Sequence, residues 1–500
     1  MHNFLTQLVR RVTSRAPGLS CNQRRARSGA PYLPAFVLFL ALFFCANFAL
    51  AEKKTDQRPN ILFCFADDWG WPHAGIYGDK IVKTPNFDRI ARNGTLFNNA
   101  FSSAPSCTPS RAAILTGRAV HQLEEGSNLH GFLPKKFAVY PDILENAGYA
   151  VGHSGKGWAP GKFEAGGRDR NPAGPKFKDL AAFLETNGTN QPFCFWYGST
   201  DPHRPYEKGS GKKSGMKTEG VVVPPFWPDT PEVRSDILDY YVEVQQFDTQ
   251  VGEMLALLES RGQLENTLIV MTGDNGWPFP RGKANLYDAG THQPLAICWP
   301  KKFRGGRTSD AFVNLYDLAA TFVQAAGLKP SKEMVGRSLL SLLDGKSQKD
   351  RDKVFVERER HANVRSGDLG YPSRAIRTKD FLYIRNLRPD RWPAGDPEKW
   401  KAVGPFGDVD DSPTKQFILG HRDEPEFQKY FQLCFGKRPA EELYDLANDP
   451  HEIVNVADRP EFNKAKKKLR ADLDKWRRET KDPRALQDDD HWDKFPYFGK

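Results

Sequence analysis

The sequence predicts an α/β protein, built on a large doubly wound mixed sheet flanked by helices, with a smaller C-terminal α+β part made of an antiparallel sheet and a terminal helix. Three observations carry this expectation. Residues 60–65, 193–198 and 268–271 are continuous apolar runs, the pattern of strands buried on both faces of a parallel sheet, although a short buried helix segment shares it. Helical patterns stand between these runs, and strands alternating with helices argue for a doubly wound sheet. From Val354 to about residue 446 the chain turns to short alternating pieces, such as Arg374-Ala375-Ile376-Arg377 and Phe381-Leu382-Tyr383-Ile384, between Pro/Gly-rich loops.

Ahead of the first strand, Arg10, Arg11, Arg15, Arg24, Arg25 and Arg27 precede an apolar run over residues 35–50 that ends in Ala49-Leu50-Ala51. A basic segment, an apolar segment and a small-x-small site in that order read as a secretory signal peptide over residues 1–51, cleaved after Ala51. The run falls short of the roughly 18 to 20 residues a spanning helix needs, so no stable membrane span is expected after cleavage; retention as an anchor is the alternative. Export would deliver the chain to a periplasm, a lysosome or the extracellular space according to host. The formal charge of +10 falls to +4 once the six leader arginines are removed. A mildly basic mature chain suits a polyanionic substrate and gives no sign of nucleic acid. Cys21 and Cys45 leave with the leader, and the five remaining cysteines fit neither a disulfide framework nor a zinc site. Cys64, Cys194 and Cys298 lie inside apolar runs and read as core thiols.

Taken in order, the first run exits into Asp67-Asp68-Trp69-Gly70, two carboxylates at a strand's C-terminal end, where open α/β sheets place their ligands. Residues 84–94 read as a helix with a cap-like Thr84-Pro85 start and a Gly94 stop. The stretch Cys107-Thr108-Pro109-Ser110-Arg111-Ala112-Ala113-Ile114-Leu115-Thr116-Gly117-Arg118 begins as a turn and continues as a helix. Ala112, Ala113 and Leu115 are good helix formers, and Pro109 suits the first helical position. Cys107 then stands at a helix N-terminus, where free N–H groups and the helix dipole favour an oxyanion. A lone Cys beside a Pro is more often a small buried hydrophobe; the whole string sets this one apart.

Residues 148–152 lead as a strand into His153-Ser154-Gly155-Lys156-Gly157, and residues 193–198 lead into Asp201-Pro202-His203-Arg204. Over residues 236–261, Ile237, Tyr241, Val244, Val251, Leu255 and Leu258 recur at helical spacing. The run 268–271 exits into Thr272-Gly273-Asp274-Asn275-Gly276. A charged run over residues 345–353 divides a large domain, residues 52–350, from a smaller one, residues 351–500, closed by a charged helix over about residues 460–480.

Asp67, Asp68, Asp274 and Asn275 offer hard oxygen atoms without an imidazole among them, which suits Ca²⁺ or Mg²⁺ rather than zinc. Arg111 follows Cys107 by about one helical turn and can face the same side. The string at Cys107 resembles the signature of the type I sulfatases, C-x-P-x-R followed by L-T-G-R, in which the Cys is oxidised after synthesis to formylglycine (3-oxoalanine). The resemblance covers nearly the whole mature chain. It implies that residues 52–350 are catalytic and that one cation, usually Ca²⁺, is held by Asp67, Asp68, Asp274, Asn275 and the converted Cys107. It further implies that Arg111, Lys156 and Lys283 hold the sulfuryl oxygens, that His203 protonates the leaving group, and that a formylglycine-generating enzyme is the maturation partner.

More narrowly, Asn275-Gly276-Trp277-Pro278-Phe279-Pro280 with Asn285-Leu286-Tyr287, the Asp201–Arg204 run, Gly370-Tyr371-Pro372-Ser373-Arg374, and Glu442-Leu443-Tyr444-Asp445 with Asp449-Pro450-His451-Glu452 resemble segments of the heparan N-sulfatase (sulfamidase) branch. That branch implies removal of sulfate from N-sulfoglucosamine residues of heparan or heparin. Carbohydrate O-sulfatase or arylsulfatase-like hydrolysis, phosphoester or phosphonoester hydrolysis, and non-catalytic glycan binding are the alternatives. Arg204, His130 and His292 are further candidates for substrate contact. One departure stands out: where many sulfatases carry a histidine shortly after the signature lysine, this chain reads Lys156-Gly157-Trp158. His153 could take that place, or it is a buried structural histidine. Asn93-Gly94-Thr95 and Asn187-Gly188-Thr189 are glycosylation sequons in a host that glycosylates.

Overall fold

A computed structural model describes residues 58–188, 191–401 and 404–499; the signal peptide expected over residues 1–51 lies outside them. In chain order the large sheet and its helices are β1 (Asn60–Ala66), α1 (Pro85–Asn93), β2 (Thr95–Phe101), α2 (Cys107–Thr116), α3 (Tyr140–Asn146), β3 (Ala150–Gly155), α4 (Leu180–Asn187), β4 (Phe193–Gly198), α5 (Pro231–Ser260), β5 (Thr267–Gly273), β6 (His292–Cys298), β7 (Arg307–Asn314) and α6 (Asp317–Ala325). The strand order is β3-β4-β1-β5-β6-β2-β7. The first four are parallel neighbours, β6 runs antiparallel to both β5 and β2, and β7 is parallel to β2. The sheet is mixed and wrapped by helices on both faces, as expected.

The alternation along β1 explains its unbroken apolar run. Leu62 and Cys64 point into a layer with Val244, Phe247 and Val251 of α5, while Ile61, Phe63 and Phe65 pack in the opposite layer with Ala112, Ala113 and Leu115 of α2 and Phe322 of α6. Each such side chain contributes about 1.5–3 kcal/mol by leaving water. Cys64, Cys194 and Cys298 are buried free thiols within these layers. α5 begins one turn before its apolar periodicity does: Thr230 caps it by accepting the Val233 N–H, and Pro231 fills the first position.

The second sheet comprises β8 (Lys353–Arg358), β9 (Ser373–Thr378), β10 (Phe381–Asn386) and, after α7 (Pro413–Gly420), β11 (Glu441–Asp445); α8 (Asn463–Glu479) closes the chain's ordered sequence of long helices. Its order, β11-β10-β9-β8, is antiparallel throughout. Phe101 of β2 and Phe312 of β7 pack with Val354, Val356 and Ala375 of this sheet, and the described residues form one compact unit. Among the described residues, no helix is long and apolar enough to cross a membrane.

Candidate active site

The parallel strands β1, β3, β4 and β5 end on one rim, and each delivers polar residues there: Asp67 and Asp68 after β1, Lys156 after β3, His203 after β4, Asp274 and Asn275 after β5. Lys156 is placed by backbone contact, since its N–H donates to the Gly198 carbonyl at 2.7 Å; a Cβ on Gly198 would stand 1.8 Å from the Lys156 carbonyl oxygen, so only glycine fits. α2 starts at the same rim with Cys107 as its first residue. Pro109 is third in α2, not first, but still inside the first turn, where an N–H has no intrahelical partner.

Asp67, Asp68, Asp274 and Cys107, all buried, bring one ligand atom each to within 4.8 Å of one another. The Cys107 thiol donates to Asp67 Oδ1 at 3.2 Å and lies 3.9 Å from Asp68 Oδ1. Backbone bonds lock the carboxylates: Asp274 N donates to Ala66 O at 3.1 Å, Asp67 N to Asp201 O at 3.0 Å, and Asp68 N to Asp274 Oδ1 at 3.0 Å. Asp68 holds a φ of 73°, a left-handed conformation that Asp reaches more readily than most residues.

Cations close the ring. Arg111, fully buried, donates from Nε to Asp274 Oδ2 at 2.8 Å and from Nη1 to the carbonyls of Lys156 and Gly157 at 2.8 and 2.9 Å. Lys156 Nζ reaches Asp67 Oδ2 at 2.5 Å. Lys283 Nζ reaches Asp68 Oδ2 at 2.8 Å and Asp410 Oδ2 at 3.4 Å. His203 Nε2 lies 3.8 Å from Asp68 Oδ2. Its Nδ1 is 2.6 Å from the Arg204 carbonyl, which can only accept, so Nδ1 carries the proton and Nε2 is free for exchange.

These charges set each other's ionisation. Burial opposes the charge on Asp67, yet Lys156, His203, Arg111 and Lys283 together hold its carboxyl well below the usual range. Burial, despite Arg111 and with repulsion from Asp67, lifts Asp274 to about 6. Lys156 and Lys283 are buried, but Asp67 for the first, and Asp410 and Asp68 for the second, raise their pKa values. Burial and then Asp67 push the Cys107 thiol well above its ordinary value, so as a sulfur it is a poor nucleophile.

The donor set fits a hard divalent cation. Asn275 Nδ2 donates to Asp68 Oδ1 at 2.7 Å and to the Gly276 carbonyl at 2.9 Å, while its buried Oδ1 has no hydrogen-bond partner among the described residues. An unpartnered carbonyl oxygen beside three carboxylates is the ligand chemistry of Ca²⁺ or Mg²⁺.

A family model described as Sulfatase matches residues 59–328. The human N-sulphoglucosamine sulphohydrolase is 33% identical over 491 residues, which cover 88% of this chain and 94% of that protein. The chain belongs to the sulfatase family. As a sulfatase it hydrolyses a sulfate ester or a sulfamate, and a second model, N-sulphoglucosamine sulphohydrolase, C-terminal, matches residues 273–399. An ulvan-active sulfatase of Formosa agariphila is 29% identical, covering 85% of this chain and 76% of its own. The fold is shared with a solved structure in complex with its substrate D-glucosamine-2-N,6-O-disulfate, at a TM-score of 0.63 and 20% identity, covering 86% of this chain and all of that one.

The structure of this sulfatase brings Cys107, Arg111, Lys156, His203, Lys283, Asp67, Asp68, Asp274 and Asn275 together. Arg204 and His292 are engaged elsewhere. Arg204 forms a two-pronged pair with Asp236 at 2.8 and 2.9 Å and donates from Nε to Pro278 O at 2.8 Å. His292 is stacked between Trp71 and Phe101, with centroids at 4.5 and 4.6 Å, and bonds the Asn98 carbonyl. His130 packs against Tyr497 at 5.0 Å; burial, then the charges of Lys156 and Lys283, lower it to about 4. His153 is a strand residue of β3 whose Nδ1 is 2.9 Å from Gly174 O, and Trp158 is 1% exposed in the core. Neither supplies the missing histidine's chemistry from where it stands.

Two residues at the site carry no sequence signal. Asp410 joins His203 and Asp68 in a second cluster. His361, following β8, bonds the hydroxyl of Ser106, the residue just before α2, at 2.8 Å; burial lowers it to about 3.

Proposed function

We propose that this sulfatase is an exported enzyme that removes sulfate from a sulfated sugar, with N-sulfoglucosamine residues of heparan or heparin as the favoured substrate. The observation that carries the chemistry is the convergence of three carboxylates, three cations and a helix N-terminus on Cys107. The substrate choice leans on the relative named N-sulphoglucosamine sulphohydrolase and on the C-terminal family model of the same description.

Converted to formylglycine by a maturation enzyme, Cys107 would supply an oxygen nucleophile as the aldehyde hydrate, and a cation, Ca²⁺ or Mg²⁺, held by Asp67, Asp68, Asp274 and Asn275 would supply Lewis-acid activation. Arg111, Lys156 and Lys283 present fixed positive charge to the sulfuryl oxygens in a largely buried site, where such charges act more strongly than in water. The first N–H groups of α2 add donors on the same side. His203 keeps its Nδ1 proton on the Arg204 carbonyl and gives an Nε2 proton to the departing amine or alcohol. The departure at Trp158, where many sulfatases carry a histidine, keeps one alternative open, a carbohydrate O-sulfatase, because without that histidine a different set of groups meets the bridging atom.

The test has two parts. Mass spectrometry of the tryptic peptide bearing Cys107, from a host with a maturation enzyme, should show the lighter aldehyde form; unmodified cysteine in active protein would remove the formylglycine mechanism. Sulfate release should then be compared for glucosamine N-sulfate, glucosamine 6-sulfate and a phosphate monoester. An inert N-sulfate beside a reactive 6-sulfate would replace the favoured substrate with the alternative.

A further inference from the structure

One carboxylate at the site has no role in the chemistry above. Asp410 lies between β10 and α7, and one of its oxygens is within 4.8 Å of a His203 ring nitrogen and of an Asp68 carboxylate oxygen. Its Oδ2 is shielded from solvent and accepts no hydrogen bond among the described residues, although Lys283 Nζ stands 3.4 Å away. The side chain as a whole is 30% exposed, so a ligand can approach the carboxylate from the side that Oδ2 does not occupy.

The segment that carries Asp410 is held on both sides. Asp408, two residues earlier, pairs with Arg358 and Arg365. Lys415 Nζ donates to the Phe406 and Val409 carbonyls at 3.2 and 2.7 Å, and Ser412 caps α7 through the Lys415 N–H at 3.1 Å. Asp236 of α5 accepts both the Arg204 guanidinium and the Thr414 hydroxyl and N–H, at 2.7 and 3.2 Å for the latter. The residue after His203 and a residue four past Asp410 are therefore bound to one carboxylate, which fixes the spacing between the leaving-group acid and Asp410.

With Lys283 as a long ion-pair partner and no hydrogen bond to Oδ2 among the described residues, this carboxylate has acceptor capacity to spare beside His203, which a ligand N–H can use. A sulfate ester has no hydrogen on its bridging oxygen. A sulfamate carries one on its bridging nitrogen, and gains another when His203 protonates that atom. We infer that Asp410 is a specificity-determining residue that accepts the bridging N–H of an N-sulfated sugar, favouring sulfamates over sulfate esters. This rests on the N-sulfoglucosamine reading. Burial opposes its charge, but Lys283 and then His203 hold its carboxyl below the ordinary range, so it stays an acceptor at neutral pH.

The experiment compares wild type, Asp410→Asn and Asp410→Ala in two measurements: kcat/KM for glucosamine N-sulfate, and the inhibition constant of inorganic sulfate, which meets the same cations but has no bridging N–H. Removal of the acceptor in Asp410→Ala should lower kcat/KM about 10- to 100-fold, with a smaller loss in Asp410→Asn, which keeps an oxygen there. Inorganic sulfate should inhibit both variants at least as well as wild type, since a negative charge has gone. Unchanged kcat/KM in both variants overturns the assignment, and so does weakened sulfate inhibition in parallel with the loss, which would mark general damage to the anion site. Wild-type protein inert toward glucosamine N-sulfate would instead overturn the substrate reading, and Asp410's role with it.

Discussion

Asp236→Asn should loosen both flanks of the site at once. Asp236 is buried on α5 and accepts four hydrogen bonds, two from the Arg204 guanidinium at 2.8 and 2.9 Å and two from Thr414 at 2.7 and 3.2 Å. The substitution keeps the shape but removes the charge, and turns one acceptor oxygen into a donor facing a cation. Removing one partner of a buried ion pair costs about 3–5 kcal/mol. Arg204 keeps the Pro278 carbonyl and lies over the Tyr206 and Phe279 rings at 4.4 Å each, so the loss should fall at the lower end, about 3 kcal/mol. Urea denaturation should show a lower midpoint with an unchanged slope, the sign of lost stability rather than a changed unfolded state. Because His203 and Asp410 both depend on this tie, kcat should also drop about 10- to 100-fold, as misplacement of catalytic groups by an ångström does. A variant within about 1 kcal/mol of wild type and fully active would refute the claim that Asp236 sets the site's geometry.

Three further outcomes are expected. Chelation should lower the melting temperature and Ca²⁺ restore it, by about 2.7 kcal/mol at a hundredfold excess over Kd, with Asp274→Asn abolishing the response; melting curves indifferent to chelator would remove the cation from the site. In metal-free protein the raised Asp274 pKa, about 6 against an ordinary 3.8, means the folded chain binds a proton that the unfolded chain releases, so this group's contribution is present below the unfolded value and is lost as pH rises through about 6; Ca²⁺ should therefore raise the melting temperature more at pH 7 than at pH 5, and equal shifts would show that Asp274 does not titrate there. Trp158→Ala should cost about 3–5 kcal/mol by leaving a cavity, measured by denaturation, whereas a near-neutral result would show that this ring does not support the Lys156 loop.

Much of this architecture was readable because burial leaves a mark on composition. β1, β4 and β5 are central strands covered on both faces, so their apolar runs are unbroken. β2 and β7 left no such mark: β2 reads Thr-Leu-Phe-Asn-Asn-Ala-Phe with its pairing shifted around Phe97, and β7 is half exposed over its first residues. β6 contains His292, expected only as a candidate substrate contact, and its run carried no expectation of a strand. The candidate cation ligands and Cys107 were legible since they cluster in short motifs at strand and helix ends. Asp410 and His361 were not, because each reaches the site from a loop of the second sheet region, brought there by Asp236, Arg358 and Arg365 rather than by neighbours in sequence. Arg204 looked like a substrate contact for its place beside His203, and the structure gives it a structural partner instead.

All ten residues of α2 are buried, and Cys107 itself is 1% exposed. Water and small ions can visit such a place by brief local opening, but another protein's active site cannot reach it without unfolding the helix from its packing with Phe63, Leu318 and Phe322. Folding therefore acts as a deadline for any enzyme that alters this sulfur. If activity needs the converted residue, as proposed above, a chain that closes early is committed to its thiol, however complete its ring of carboxylates and cations, and the yield of working protein becomes a race between two rates rather than a property of the finished structure.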